Sequence, residues 1–152
     1  MDFDEIDRRI LNALQKDASQ TNAELAATVH VSAPTCLRRV KHLRDSGVIE
    51  REVALVAPDK VGAHLTAVVE ISLDIQAAER MAEFEALVAP EPAVLQCYRV
   101  SPGPDFVLIV QVADMPAYHA LAHRLFAGQA NVRNVKAYFS TFRSKFETSI
   151  PV

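Results

Sequence analysis

Residues 32–49 read SAPTCLRRVKHLRDSGVI, and the organisation of the N-terminal third follows from how this stretch is placed. Ser32 carries a hydroxyl that can accept one of the unpaired amide protons of a first helical turn. Pro34 suits that turn, where a missing N–H costs nothing. Gly47 stands where helices commonly end in a left-handed residue. At ~100° per residue, Ala33, Cys36, Leu37, Val40 and Leu43 fall together and predict a core stripe. Pro34, Thr35, Arg38, Lys41 and His42 fall on the opposite side, with Ser32 and Arg39 along one edge. Between Ser32 and Arg44 lie four cations, Arg38, Arg39, Lys41 and Arg44, and no acid. A basic helical face with short hydroxyls at its N-terminal end suits the major groove of duplex DNA. There cations meet phosphates and small polar side chains reach base edges. The same pattern also describes an amphipathic helix with a solvated basic face.

Working outward, Thr21 and Glu24 form a capping-box pair that opens a short helix, with Leu25, Ala26 and Val29 as its buried side. His30 and Val31 make the turn into Ser32. Before that, Asp4–Gln15 reads as a first helix, with Phe3, Ile6, Ile10, Leu11 and Leu14 at helical spacing and acids crowding its N-terminus. Three helices with this short second connection predict a helix-turn-helix. Val48–Val53, after Gly47, reads as a strand, so the motif is expected to be winged. Residues 1–53 are therefore expected to form a winged helix-turn-helix DNA-binding domain. Residues 54–62, ALVAPDKVG, form a linker whose Pro58, Asp59 and Gly62 are turn chemistry.

Residues 63–152 have a different texture. Leu65–Leu73 alternates strictly, with Leu65, Ala67, Val69, Ile71 and Leu73 on one side, as a half-buried strand should. Gln76–Val88 carries Ala77, Met81, Phe84 and Val88 at helical spacing, and Pro90 and Pro92 stop it. Val94–Val100 and Phe106–Val112 read as strands joined by the loop SPGPD. Asp114 caps a helix buried through Tyr118, Leu121, Ala122, Leu125 and Phe126 and ending at Gly128, and Val132–Phe142 is a last strand. The order is βαββαβ, the split βαβ of ferredoxin-like domains, so the chain is α+β. Right-handed crossovers would put both helices on one face of a four-stranded antiparallel sheet. The other face, with Tyr98, Val107, Ile109 and Tyr138, would be left open, and a second copy packed against it is the simplest remedy.

Bulk composition constrains function only weakly. Half of the 152 residues are hydrophobic, and the net charge is −3. Residues 1–60 hold nine Lys/Arg against ten Asp/Glu, so DNA binding rests on placement of charge, not on its total. No apolar run approaches the ~20 residues of a membrane span. The acidic N-terminus lacks the layout of a signal peptide, and a cytoplasmic location with no membrane partner is expected. Cys36 and Cys97 lack metal-ligand spacing and read as reduced thiols used as small hydrophobes.

The stretches DEIDRRILNALQKDA, SAPTCLRRVKHLRDSGVIE, CYRVSPGPDFVLIVQV, DMPAYHAL and VKAYFS together resemble the leucine-responsive regulatory protein/AsnC family of transcriptional regulators, in order and over nearly the whole chain. The resemblance implies a winged helix-turn-helix joined to a ferredoxin-like domain that senses a ligand. It implies a homodimer built through both domains, often assembled further into an octameric disc. It also implies an amino-acid or related effector bound between sensing domains, with no other cofactor. The positions matching the family's effector site are Ser101, Gly103 and Asp105 in the loop, then Met115, then Tyr138, Phe139 and Ser140. The chain departs from the family at His30, where Gly is usual, at Pro102 in the Gly position of the loop, and at Phe106 for the usual Tyr. Arg38 and Arg44 stand where acids are common.

In that loop Asp105 has two readings: it accepts from the ammonium of an amino acid, or it caps the hairpin as Asp often does in turns. Pro102 and Pro104 offer no N–H, which leaves fewer donors for a carboxylate. An enzyme is the competing class. His119 and His123, at i and i+4, have a spacing that can hold a metal, but Ala120 stands where a Glu is usual and no third ligand is evident. No nucleophile motif, phosphate loop or dinucleotide fingerprint is present, so neither catalysis nor a metal is expected. An architectural DNA-binding protein with no small-molecule effector is the alternative to an effector-responsive regulator.

Overall fold

The computed structural model describes residues 3–152 and divides into two compact units, Met1–Leu55 with Ser144–Val152, and Val56–Arg143. The first unit is helical: α1 spans Glu5–Lys16, α2 Asn22–Thr28 and α3 Ala33–Asp45. Each start is set by its cap. The Asp4 side chain accepts from the amides of Ile6 and Asp7, the Thr21/Glu24 capping box is complete, and the Ser32 hydroxyl accepts from the Thr35 amide. Such caps each contribute about 1 kcal/mol by satisfying amides that the helix cannot. Ile10, Leu11, Leu25, Ala26, Val29, Cys36, Val40 and Leu43 close the core.

Three features of this unit differ from expectation. Leu37 is 58% exposed and Ala33 is also exposed, so the α3 core stripe is narrower than a helical wheel suggests. Three short helices cover only the strip through Cys36, Val40 and Leu43, and nothing covers the flank. No strand forms over Val48–Val53. Val48 and Ile49 fold back onto the helical core, the Ile49 amide donates to the Leu43 carbonyl, and the following segment has no strand beside it to complete a ladder. Finally, the last nine residues belong to this unit. The Gln15 side chain donates to the Ile150 carbonyl at 3.0 Å and accepts from the Ile150 amide at 2.7 Å, and Val152 packs on the helical core.

The second unit opens with a 3-10 turn at Pro58–Lys60. It continues through β1 (Leu65–Leu73), α4 (Ala78–Val88), β2 (Val94–Arg99), β3 (Phe106–Val112), α5 (Met115–Ala122) with a π-helical turn over His123–Ala127, and β4 (Val132–Phe139). The sheet order is β2-β3-β1-β4, and every neighbouring pair is antiparallel. The alternation of β1 is reproduced: Ala67, Val69, Ile71 and Leu73 are buried, as are Phe106, Leu108, Val110 and Val112 of β3. Met81, Phe84 and Val88 of α4 and Tyr118 and Leu121 of α5 pack on that same face, with the Phe84 and Phe106 rings 4.7 Å apart. On the opposite face Val107 and Ile109 are half-buried, while Tyr98 and Tyr138 are 53% and 45% exposed. β4 stops at Phe139, short of Phe142, because its partner runs out. The Ser140 amide bonds to the Thr66 carbonyl, one residue from the start of β1.

Candidate nucleic-acid interface and effector site

The turn between α2 and α3 sets the interface. His30 is left-handed, with φ +59°, which His tolerates better than bulky or β-branched residues. The His30 amide donates to the Ala27 carbonyl and the Val31 amide to Ala26, the paired bonds that close a helix C-terminus. The Asn22 side-chain amide donates to the Ala33 carbonyl at 2.9 Å and ties the start of α2 to the start of α3.

On α3 the expected DNA-facing residues separate into two groups. Ser32, Pro34, Arg38, Lys41 and His42 are exposed, and Thr35 is half-buried. The Ser32 and Thr35 hydroxyls bond to each other at 2.9 Å, which presents two short oxygens at the N-terminal end. Arg39 behaves otherwise. Its guanidinium pairs with Asp4 at 2.7 Å and Asp7 at 2.8 Å, its side chain is only 21% exposed, and its Nε is buried without a partner. Asp7 and then Asp4 hold it charged, while the Asp7 amide and the Arg39 guanidinium keep the Asp4 carboxyl below the usual range. Arg39 is thus a strut between α3 and α1. Arg44 pairs with Glu52 and is likewise occupied. Leu37 shares the exposed row with Pro34, Arg38 and Lys41, at the i, i+3, i+4, i+7 spacing of one helix face. Its apolarity put it in the core stripe, and no sequence signal marked it as surface.

In the sheet unit the seven expected effector residues do not meet. The Asp105 amide donates to the Ile71 carbonyl and its carboxylate accepts from the Leu73 amide at 2.6 Å, so Ser101, Gly103 and Asp105 lie at the C-terminal end of β1. Tyr138 pairs with Val68, Phe139 with Ala67, and Ser140 bonds to Thr66, so these three lie near the N-terminal end of β1. Met115 follows β3 beyond Val112, whose partner Leu65 starts β1. At ~3.3 Å per strand residue the two groups are about 20 Å apart. The Asp105 carboxylate is built into the fold, but through the Leu73 amide at the end of β1 and not as a cap on its own hairpin. Ser140 borders a polar pocket of about 330 Å³ that also has Asp59, His64, Thr66 and Gln111 in its lining. His119 and His123 have no third partner: among the described residues no group of three His, Cys, Asp or Glu could hold a metal. No helix among them is long and apolar enough to cross a membrane.

Comparisons with known proteins identify both units. Residues 3–50 match a family model described as winged helix-turn-helix DNA-binding, and residues 66–150 one described as Lrp/AsnC ligand binding domain. The chain is 34% identical to the DNA-binding transcriptional activator DecR of Escherichia coli, over 99% of each chain. It is 36% identical to the leucine-responsive regulatory protein of Salmonella typhimurium, covering 90% of this chain and 84% of that one. Among solved structures, a transcriptional regulator from Neisseria meningitidis in complex with L-Met superposes with a TM-score of 0.93 at 31% identity, covering 99% of this chain and 97% of that one. The chain belongs to the Lrp/AsnC family of DNA-binding transcriptional regulators.

Proposed function

We propose that the chain reads specific DNA sequences through the exposed row of α3 and changes its DNA binding in response to an amino acid held between copies of the sheet unit. The observation that carries the DNA reading is the sorting of cations on α3. Arg39 and Arg44 are occupied by acids, whereas Arg38 and Lys41 hold no acid among the described residues and share a face with Pro34, Leu37 and the paired hydroxyls of Ser32 and Thr35. Arg38 and Lys41 supply phosphate contacts. Ser32, Thr35 and His42 reach base edges, and Leu37 is placed to meet a thymine methyl. Arg39 drops out of the DNA-contacting set and keeps α3 fixed against α1.

The effector reading rests on the relative known as an L-Met complex and on the separation of the seven positions. A pocket using both groups takes its loop from one copy and its strand end from another. The open sheet face, with Tyr98, Val107, Ile109 and Tyr138, favours a second copy packed against it, giving a homodimer that higher assembly can extend to an octamer. An amino acid would then act by binding one arrangement of copies better than another.

The test is a gel-shift titration on a selected operator at several salt concentrations, with light scattering for mass. Arg38→Glu and Lys41→Glu should each fold normally and lose at least about tenfold in affinity. Each should also lower the salt slope by about one unit. Unchanged affinity in both variants would remove α3 from the interface. A monomer at micromolar concentration would remove the shared pocket. Equal binding to every DNA sequence, unaltered by any amino acid, would favour the architectural alternative.

A further inference from the structure

A groove of about 500 Å³ runs between α5 with its π-helical turn on one side and β4 on the other. None of the seven effector positions lines it. Tyr118, Phe126, Val132 and Val135 are among its apolar lining residues, and His119, His123, Arg133 and Asn134 are its polar ones. No acid is among the lining residues.

Both walls have an irregular backbone at this place. The α5 helix widens into a π turn over His123–Ala127. Across the groove, Val132 pairs with Leu73 and Asn134 with Ser72, so Arg133 is the extra residue of a β-bulge. π turns and bulges each insert a residue, loosen regular hydrogen bonding and re-aim side chains, and both concentrate at functional sites. Arg133 is also distinctive in its charge environment. Arg80, Arg99 and Arg124 hold Glu83, Glu85 and Glu91, whereas Arg133 holds no carboxylate among the described residues.

We propose that this groove is a second small-molecule site, separate from the shared effector pocket, and that it binds an organic acid with an aromatic or branched apolar tail. The carboxylate pairs with the planar guanidinium of Arg133, which matches it bidentately, beside the Asn134 amide and the two imidazoles. The tail lies over Tyr118, Phe126 and Val135. An α-amino acid fits less well, because its ammonium would meet the Arg133 guanidinium and no acid.

Calorimetric titration of the full chain with 3-phenylpropionate tests this, with ¹⁵N NMR to locate the site. Saturable binding that shifts the amides of Ala127 and Val135 is expected. Affinity should fall at least tenfold for Arg133→Ala and for Ala127→Leu, which fills the groove from an exposed position without touching the bulge. 3-Phenylpropylamine and phenylalanine should bind at least tenfold more weakly than the acid. Absence of binding, equal affinity in both variants, equal affinity for the amine, or shifts centred on residues 101–105 would each overturn the proposal. None of these outcomes bears on amino-acid binding at the shared pocket, which phenylalanine or methionine titrated against DNA binding reads separately.

Discussion

On α3 the exposed groups meant for DNA run along one helix from Ser32 to His42, and the caps at its two ends fix them together. In the sheet unit the seven positions meant for an effector run from Ser101 to Ser140 and end up at opposite ends of β1. The first set is continuous in sequence and carried by one capped helix. The second, as proposed above, takes its parts from two copies, and those parts carry structural duties of their own, as Asp105 does for the Leu73 amide. The difference teaches that identity at a position is a weak guide to role wherever distant neighbours claim the side chain, as Asp4 and Asp7 claim Arg39 on α3 and the Leu73 amide claims Asp105 in the sheet unit.

The largest expected effect separates two adjacent arginines. Arg39→Glu places a third carboxylate beside Asp4 and Asp7 and should destabilise the helical unit by about 2 kcal/mol, between the values for exposed and for buried pairs. Arg38→Glu, exposed one residue earlier, should stay within about 0.5 kcal/mol. Urea titration of both variants checks this, and equal stability would dissolve the distinction drawn on α3.

Next comes Asp105. Asp105→Ala leaves the Leu73 amide without its acceptor and should cost about 1–2 kcal/mol whether or not an effector is bound. Asp105→Asn keeps an acceptor oxygen and should fold as the parent does, so its amino-acid affinity isolates any contact to an ammonium. Parental affinity in Asp105→Asn would leave Asp105 only its bond to the Leu73 amide.

The smallest effect is acid sensitivity. In the helical unit, the Thr21 amide and hydroxyl hold Glu24 low, Ser19 holds Asp17 low, and the Asp7 amide with Arg39 holds Asp4 low. In the sheet unit, Arg124 and then the Ala93 amide hold Glu91 low. A carboxyl depressed on folding contributes stability that is present above its unfolded value and lost as pH falls through the folded one. Both units should therefore weaken below about pH 4.5, the ordinary glutamate value, and the helical unit more, since it holds three such groups against one. Carboxyl titration by NMR with parallel melting curves reads this. Stability that rises on acidification would contradict the assigned caps.

The sequence by itself determined most of the elements. Caps at Thr21, Ser32 and Asp114, the period of two in β1, and the left-handed Gly47 all act over a few residues, so a linear reading captures them. Strand order followed as well, because short connections and right-handed crossovers leave few alternatives. Only the tertiary structure decided the pairings that depend on distant neighbours. Arg39 became a strut because Asp4 and Asp7 come to face it from α1. Leu37 stayed exposed because three short helices cover only part of α3. Val48–Val53 formed no strand because nothing lay alongside to complete its ladder, and Ser144–Val152 joined the helical unit through Gln15 and Val152. The π turn and the bulge that shape the groove at Arg133 are of the same kind. Whether a side chain is paired, covered or re-aimed depends on what the fold brings beside it, and a local pattern of polarity carries no record of that.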